Sequence, residues 1–179
     1  MAGKILFIGP AGAGKTTAIA MIAEALPSEG TAERPCETHA QASGHPAVTD
    51  CAELHLPRGE VTHLYGVDLH QASGLLPSAW PESKVIGVLL LDHRRLEALA
   101  DLRTGLDVFS TLAHEASLVI GVGHMHPDTI NGLEAYYEVL EQRGLHLPVL
   151  SVDVRKRSDV LLLLELLVAS REARTRRAA

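Results

Sequence analysis

Cysteine is scarce: Cys36 and Cys51 are the two thiols in 179 residues. Two cysteines cannot form the multi-bridge framework that staples a small secreted domain, so the fold must rest on an apolar core. Aromatic residues make up 3% of the chain, so that core has to be aliphatic. Bases are outnumbered, 16 Lys and Arg against 22 Asp and Glu, for a net charge of −6. A general nucleic-acid binder needs a basic field, and this balance excludes one. The one basic run is Arg171, Arg174, Arg176 and Arg177. It reads as a solvated helix end beside a favourable dipole, with contact to an acidic lipid or partner as the alternative. No apolar run approaches the roughly 20 residues of a membrane span; VIGVLLL and VLLLLELLVA are the longest candidates. A cleavage site near the first residues and a closing prenylation box are both lacking. The expectation is a cytoplasmic protein without a membrane span.

What is present is a set of short apolar runs separated by helical stretches. Hydrophobic residues make up 46% of the chain, enough for one domain over residues 1–179. KILFIG reads as a buried central strand and TTAIAMIAEAL as a helix stopped at Pro27. Residues 28–48 are polar, with Gly30, Pro35, Gly44 and Pro46, and read as a long loop. DCAELHL and VTHLYG read as two strands around the turn PRGE. A connection that short forces an antiparallel pair, because a parallel one needs a crossover of a dozen residues. KVIGVLLLD, SLVIGVG and LPVLSVDV supply three further strands. Residues 94–116 read as a helix with Gly105 as its weak point. Residues 130–144 read as a helix with a glycine stop, and residues 157–174 as a helix with Ser158 as N-cap. The predicted order is β-α-β-β-α-β-α-β-α-β-α. That alternation gives an α/β fold: a six-stranded, mostly parallel sheet with one antiparallel strand and helices on both faces.

The first strand and helix are joined by Gly9-Pro10-Ala11-Gly12-Ala13-Gly14-Lys15-Thr16, which matches G-x-x-x-x-G-K-[ST] in the strand–loop–helix context that motif requires. Glycines let backbone N–H groups turn inward towards phosphate oxygens, and the helix aims its positive end at them. Lys15 is expected to reach the β- and γ-phosphates and to stand exposed when no nucleotide is bound; Thr16 is expected to bind Mg²⁺. Residues Gly9, Pro10, Ala11, Gly12, Ala13, Gly14, Lys15, Thr16 and Thr17 form the candidate phosphate site. The loop does not by itself choose the nucleotide.

The hairpin that follows the first helix narrows the choice. Together, KILFIGPAGAGKTTAI, HLYG, VLLLD, VIGVGHMH and LPVLSVDVRKRSDV resemble, in this order, the bacterial Ras-like small GTPases of MglA type over nearly the whole chain. The resemblance implies a Ras-like P-loop domain binding GTP or GDP with Mg²⁺, a polarity, motility or signalling role, and a regulatory protein partner of Roadblock type.

Three family motifs are altered. After the third strand, members carry a pattern like YGTPGQ, whose last Gly contacts the γ-phosphate and whose Gln orients water. This chain has Tyr65-Gly66-Val67-Asp68-Leu69-His70-Gln71, so Leu69 replaces the Gly and His70 the Gln, with Gln71 one place late. His70 and Gln71 are the catalytic candidates, and Asp68 is a candidate for an indirect Mg²⁺ contact. The first-switch Thr falls at His45 or Pro46, with Thr49 as a substitute lying close to the strand. The base-reading Asp falls at His126 in Gly123-His124-Met125-His126-Pro127-Asp128. A neutral imidazole offers one acceptor and cannot make the bidentate contact of a carboxylate to guanine. Asp128 is the alternative, and His124 is placed to stack on the base. Asp153 and Val154, in SVDV, match the last box, which flanks the base. Against these stands the plainer reading of the histidines as polar loop residues.

Zinc is disfavoured. Cys36-x-x-His39 and Cys51-x-x-x-His55 resemble ligand spacings, but residues four apart on a strand lie roughly 13 Å apart. His124-x-His126 with Asp128 is the better-spaced metal candidate. Asp92 closes VLLLD as a Walker-type carboxylate would, yet its place after the switch favours a structural role. Phe7, Trp80, Tyr136 and Tyr137 read as packing residues. The expectation is therefore a GTP- or GDP-binding protein with slow or absent hydrolysis and a weakened guanine preference. The alternatives are a pseudo-GTPase interaction module that uses nucleotide only structurally, and an ATP-binding P-loop protein.

Overall fold

The computed structural model describes residues 3–23, 47–55, 61–72, 85–126 and 132–178. Its centre is β1 (Gly3–Gly9), whose residues Lys4 to Gly9 are all buried. A strand buried on both faces needs continuous apolar sequence rather than alternation, and ILFI provides it. Parallel neighbours flank β1 on both sides: β3 (Val61–Asp68) and β4 (Val85–Asp92). β5 (Leu118–Gly123) and β6 (Val149–Val152) continue the parallel sheet beyond β4. At the other edge β2 (Val48–His55) pairs antiparallel with β3, giving the order β2-β3-β1-β4-β5-β6. The predicted sheet is therefore present, with its single antiparallel strand where the short turn required it. The turn residues 57–60 lie outside the described residues.

Side-chain alternation along β1 divides the core in two. Ile5 and Phe7 face α1 (Lys15–Ala23) and α5 (Arg157–Ala178), packing with Ala18, Ile19, Ile22, Val160, Leu163 and Leu167. Leu6 and Ile8 face the opposite layer, formed by α2 (Ala98–Val108), α3 (Ser110–His114) and α4 (Glu134–Gln142). Helices thus cover both faces, and every strand C-terminus from β1 to β6, apart from antiparallel β2, points to one edge. Ligand sites of open α/β sheets form at that edge.

Three helix boundaries differ from expectation. Residues 94–97 are a turn, not helix, because Asp92 accepts from the Arg94 N–H and ties the chain down before Ala98. Gly105, the expected weak point, does not interrupt the helix. Helix α2 runs through it, and a Cβ there would lie 2.7 Å from Leu89 Cδ2, so the glycine lets the helix approach β4. The break comes at Phe109 (φ −107°, ψ 32°), whose ring is buried. Ser158 is not an N-cap: α5 already includes Arg157, and the Ser158 hydroxyl donates to Asp159 Oδ1 at 3.0 Å. Gly144, at φ +65°, ends α4 as expected. Of the helix predicted between β3 and β4, the structure describes a single 3-10 turn, Leu69–Gln71; residues 73–84, with Trp80, lie outside the described residues. Tyr136 is buried and donates or accepts across 3.0 Å to His93 Nδ1, while the Tyr137 hydroxyl donates to Val149 O. Among the described residues no helix is long and apolar enough to cross a membrane.

Candidate functional site

The loop after β1 is shaped by two close approaches. A Cβ on Gly9 would lie 2.4 Å from the Leu90 carbonyl oxygen, and one on Gly14 would lie 2.7 Å from Val154 Cγ2. Glycine is therefore needed where the loop passes the backbone of β4 and the chain after β6. Gly12 and Gly14 also adopt φ of +80° and +93°, a hand that side-chain-bearing residues disfavour. Around Gly12 a Cβ would meet nothing within 4 Å, so there the backbone itself is open to a ligand. An Ala13 N–H to Pro10 O bond closes the turn, and Ala18 N–H to Gly14 O starts α1. The loop thus runs directly into the positive end of α1, a place suited to anions.

Lys15 is not exposed, contrary to expectation; it is 7% accessible. Its stem folds back along the loop, and Nζ donates to Gly9 O at 3.0 Å and Pro10 O at 2.9 Å. Burial lowers its pKa, while the charges of Asp68 and Asp50 act to raise it. Two carboxylates are therefore near enough to act on the loop cation, and neither one fully offsets its loss of water.

Both carboxylates lie beside Thr16 and Gly9. Thr16 Oγ1 donates to Asp50 Oδ2 at 2.8 Å, and Thr49 Oγ1 donates to the same oxygen at 2.9 Å. Asp68 ends β3 directly across from Gly9, and its Oδ1 accepts from the His70 N–H at 3.0 Å. Thr16, Asp50 and Asp68 are hard oxygen donors. One or two carboxylates completed by phosphate and water is the donor set Mg²⁺ favours, so these residues fit that ion. Asp50 was missed by sequence reasoning. Its signal was available only through pairing: Asp50 opposes Gly66, two residues before Asp68. Thr49, too close to the strand in sequence terms, lies within β2 and shares the Asp50 carboxylate with Thr16. His45 and Pro46 lie outside the described residues.

The catalytic candidates are placed differently. His70 Nε2 is 3.3 Å from Oδ1 of Asp101, a buried carboxylate on α2 that also accepts from Arg95 Nε at 3.3 Å. Its half-exposed ring reaches α2, and Gln71 is exposed at the end of the 3-10 turn.

On the other side of the loop lies a cavity of about 640 Å³. Gly12, Ala13, Gly14, Thr17, His124, His126, Asp153 and Val154 all line it, so the structure joins the predicted phosphate and base segments in one space. Ala11 is exposed at the loop tip. Gly9 and Pro10 lie behind, where their carbonyls hold Lys15. Asp128 lies outside the described residues. His124 adopts φ +60° and sits 4.0 Å from Asp92 Oδ2. Asp92 itself is buried: hydrogen bonds from the Arg94 guanidinium hold its carboxyl below the usual range, against the opposing effect of burial. At Asp153, Arg155 does the same and brings the carboxyl to about 2. Asp159 Oδ2 accepts from the Asp153 N–H at 3.0 Å. Among the described residues no group of three His, Cys, Asp or Glu side chains gathers to hold a metal; for the zinc spacings, Cys36 and His39 lie outside them. No protein-family model matches the chain, and no curated protein matches it in sequence.

Proposed function

We propose that this chain binds a nucleotide with Mg²⁺, guanine in preference to adenine, and works as a Ras-like regulatory protein with slow or absent hydrolysis. The observation that carries the reading is Lys15. An ammonium is buried in a glycine loop at a helix N-terminus, held by two carbonyls that a phosphate would outcompete. Loop amides and Lys15 would take the phosphates. Thr16, Asp50 and Asp68 would hold Mg²⁺, whose charge would neutralise that developing on the transferred phosphoryl group. His124 and the segment Asp153–Val154 would border the base. A cytoplasmic setting and a regulatory protein partner, of Roadblock type by resemblance, belong to the same proposal.

His70, paired with Asp101, favours the pseudo-GTPase reading as the second choice, since water positioning then lacks its residue. The test is displacement of a fluorescent GTP analogue by GTP, GDP, ATP and ADP, with Mg²⁺. Displacement by the guanine nucleotides at lower concentration supports the proposal. Binding of adenine nucleotides alone would leave the ATP-binding alternative standing, and binding of none would end the proposal.

A further inference from the structure

Resting on the nucleotide reading above, we infer that Asp153 is the group that reads guanine, and that Arg155 occupies its carboxylate until the base replaces it. Arg155 Nε donates to Asp153 Oδ1 at 2.8 Å, and Nη2 donates to Oδ2 at 2.9 Å. Two parallel N–H donors on a planar, delocalised C–N framework meet two carboxylate oxygens. The N1–H and N2–H₂ edge of guanine presents the same pair of donors on the same kind of plane. Adenine has an unprotonated N1 beside a C2–H there and cannot.

Position separates this fork from an ordinary turn. Asp92 and Arg94 form the same contact at the end of β4, but neither lines the cavity. Asp153 and Arg155 both line it, together with His126 and the phosphate loop. Val154, next to Asp153, lies against Gly14 of that loop, which puts the carboxylate within one residue of the phosphate site's wall. The Arg155 side chain is 76% exposed and Asp153 29%. A surface ion pair of this kind contributes little to stability, so the guanidinium can leave. The departing Arg155 guanidinium turns to water and the base supplies two donors in its place, while the Arg155 backbone N–H continues to donate to Asp153 Oδ1 at 3.1 Å. His126, where the family's base-reading carboxylate stands, is then not required for guanine selection.

The test compares GTP, ATP and xanthosine triphosphate on the parent, Asp153→Asn and Arg155→Ala, by displacement of one fluorescent triphosphate. Asparagine keeps one acceptor for N1–H and offers its amide donor to the 2-oxo group of xanthine. Asp153→Asn should lower the GTP-to-ATP affinity ratio at least about tenfold, and raise the ratio of xanthosine triphosphate to GTP. Arg155→Ala should raise the GTP-to-ATP ratio, because the competitor is gone. If Asp153→Asn does not fold, Arg155→Ala alone decides. Unchanged ratios in a parent that binds triphosphates overturn this inference and leave the nucleotide reading intact. A parent that binds no triphosphate overturns both.

Discussion

Lys15→Met separates the two roles open to a buried lysine. Methionine keeps most of the aliphatic stem and removes the ammonium with its two bonds to Gly9 O and Pro10 O. The pKa of Lys15 is lowered, with burial the largest cause. The charge is therefore less stable here than in the unfolded chain, despite those bonds and the help of Asp68 and Asp50. Removing it should leave unfolding free energy within about 1 kcal/mol of the parent, or raise it, the signature of a residue kept for function. Triphosphate binding should fall, because a charge-assisted bond of about 1.5–3 kcal/mol is lost, about ten- to hundredfold in Kd. The pH dependence has a definite sign. With the folded-state pKa below the unfolded one, the unfolded chain holds more protons between the two values, so stability rises with pH there. The parent should gain stability relative to Lys15→Met as pH rises towards about 10.4, the ordinary lysine value. Urea unfolding at several pH values, with triphosphate titrations on both proteins, measures all of this. A loss of more than about 2 kcal/mol with unchanged nucleotide affinity would make Lys15 a structural cap of the loop and refute the reasoning.

Other outcomes follow from the same geometry. Asp50→Asn should weaken the Mg²⁺ dependence of triphosphate binding more than binding without Mg²⁺, read by titrating in EDTA and in Mg²⁺; equal loss in both would remove Asp50 from the metal side. Gly105→Ala should cost stability. Helix propensity favours Ala by about 1 kcal/mol, but overpacking against Leu89 costs about 1–3 kcal/mol; net stabilisation in urea unfolding would restore Gly105 as a mere weak point. Single-turnover phosphate release from GTP with excess Mg²⁺ should be slower than about 10⁻⁴ s⁻¹, the order of unaided Ras, since on the proposed Ras-like reading Leu69 stands for a glycine and His70 lies 3.3 Å from Asp101. A faster rate would make Gln71, His70 or Asp68 a working replacement.

The strands were legible because burial on both faces demands unbroken apolar runs, and ILFI, VLLL and LVIGV are such runs. The hairpin followed from a turn too short for any crossover. The glycine-rich turn after β1 was legible because Gly12 and Gly14 answer a local constraint, a backbone hand that side chains disfavour. Contacts between distant segments were not. Nothing near Asp50 in sequence says that its carboxylate meets Thr16, 34 residues away. Likewise nothing near His70 in sequence places its ring 3.3 Å from Asp101, on a helix 31 residues away. Lys15 was expected to be exposed because its charge was read as aimed at phosphates; two carbonyls of its own loop accept from it instead. Gly105 was read by propensity alone, and the tight packing of α2 on β4 overrode it.

The central claim is that the loop from Gly9 to Thr16 holds a nucleoside triphosphate. Isothermal titration of Mg²⁺-GTP into nucleotide-stripped protein tests it most directly. The account predicts one site per chain, saturable and weakened by Lys15→Met. Absence of any binding heat at several temperatures, with a cooperatively folded protein in the cell, would contradict it.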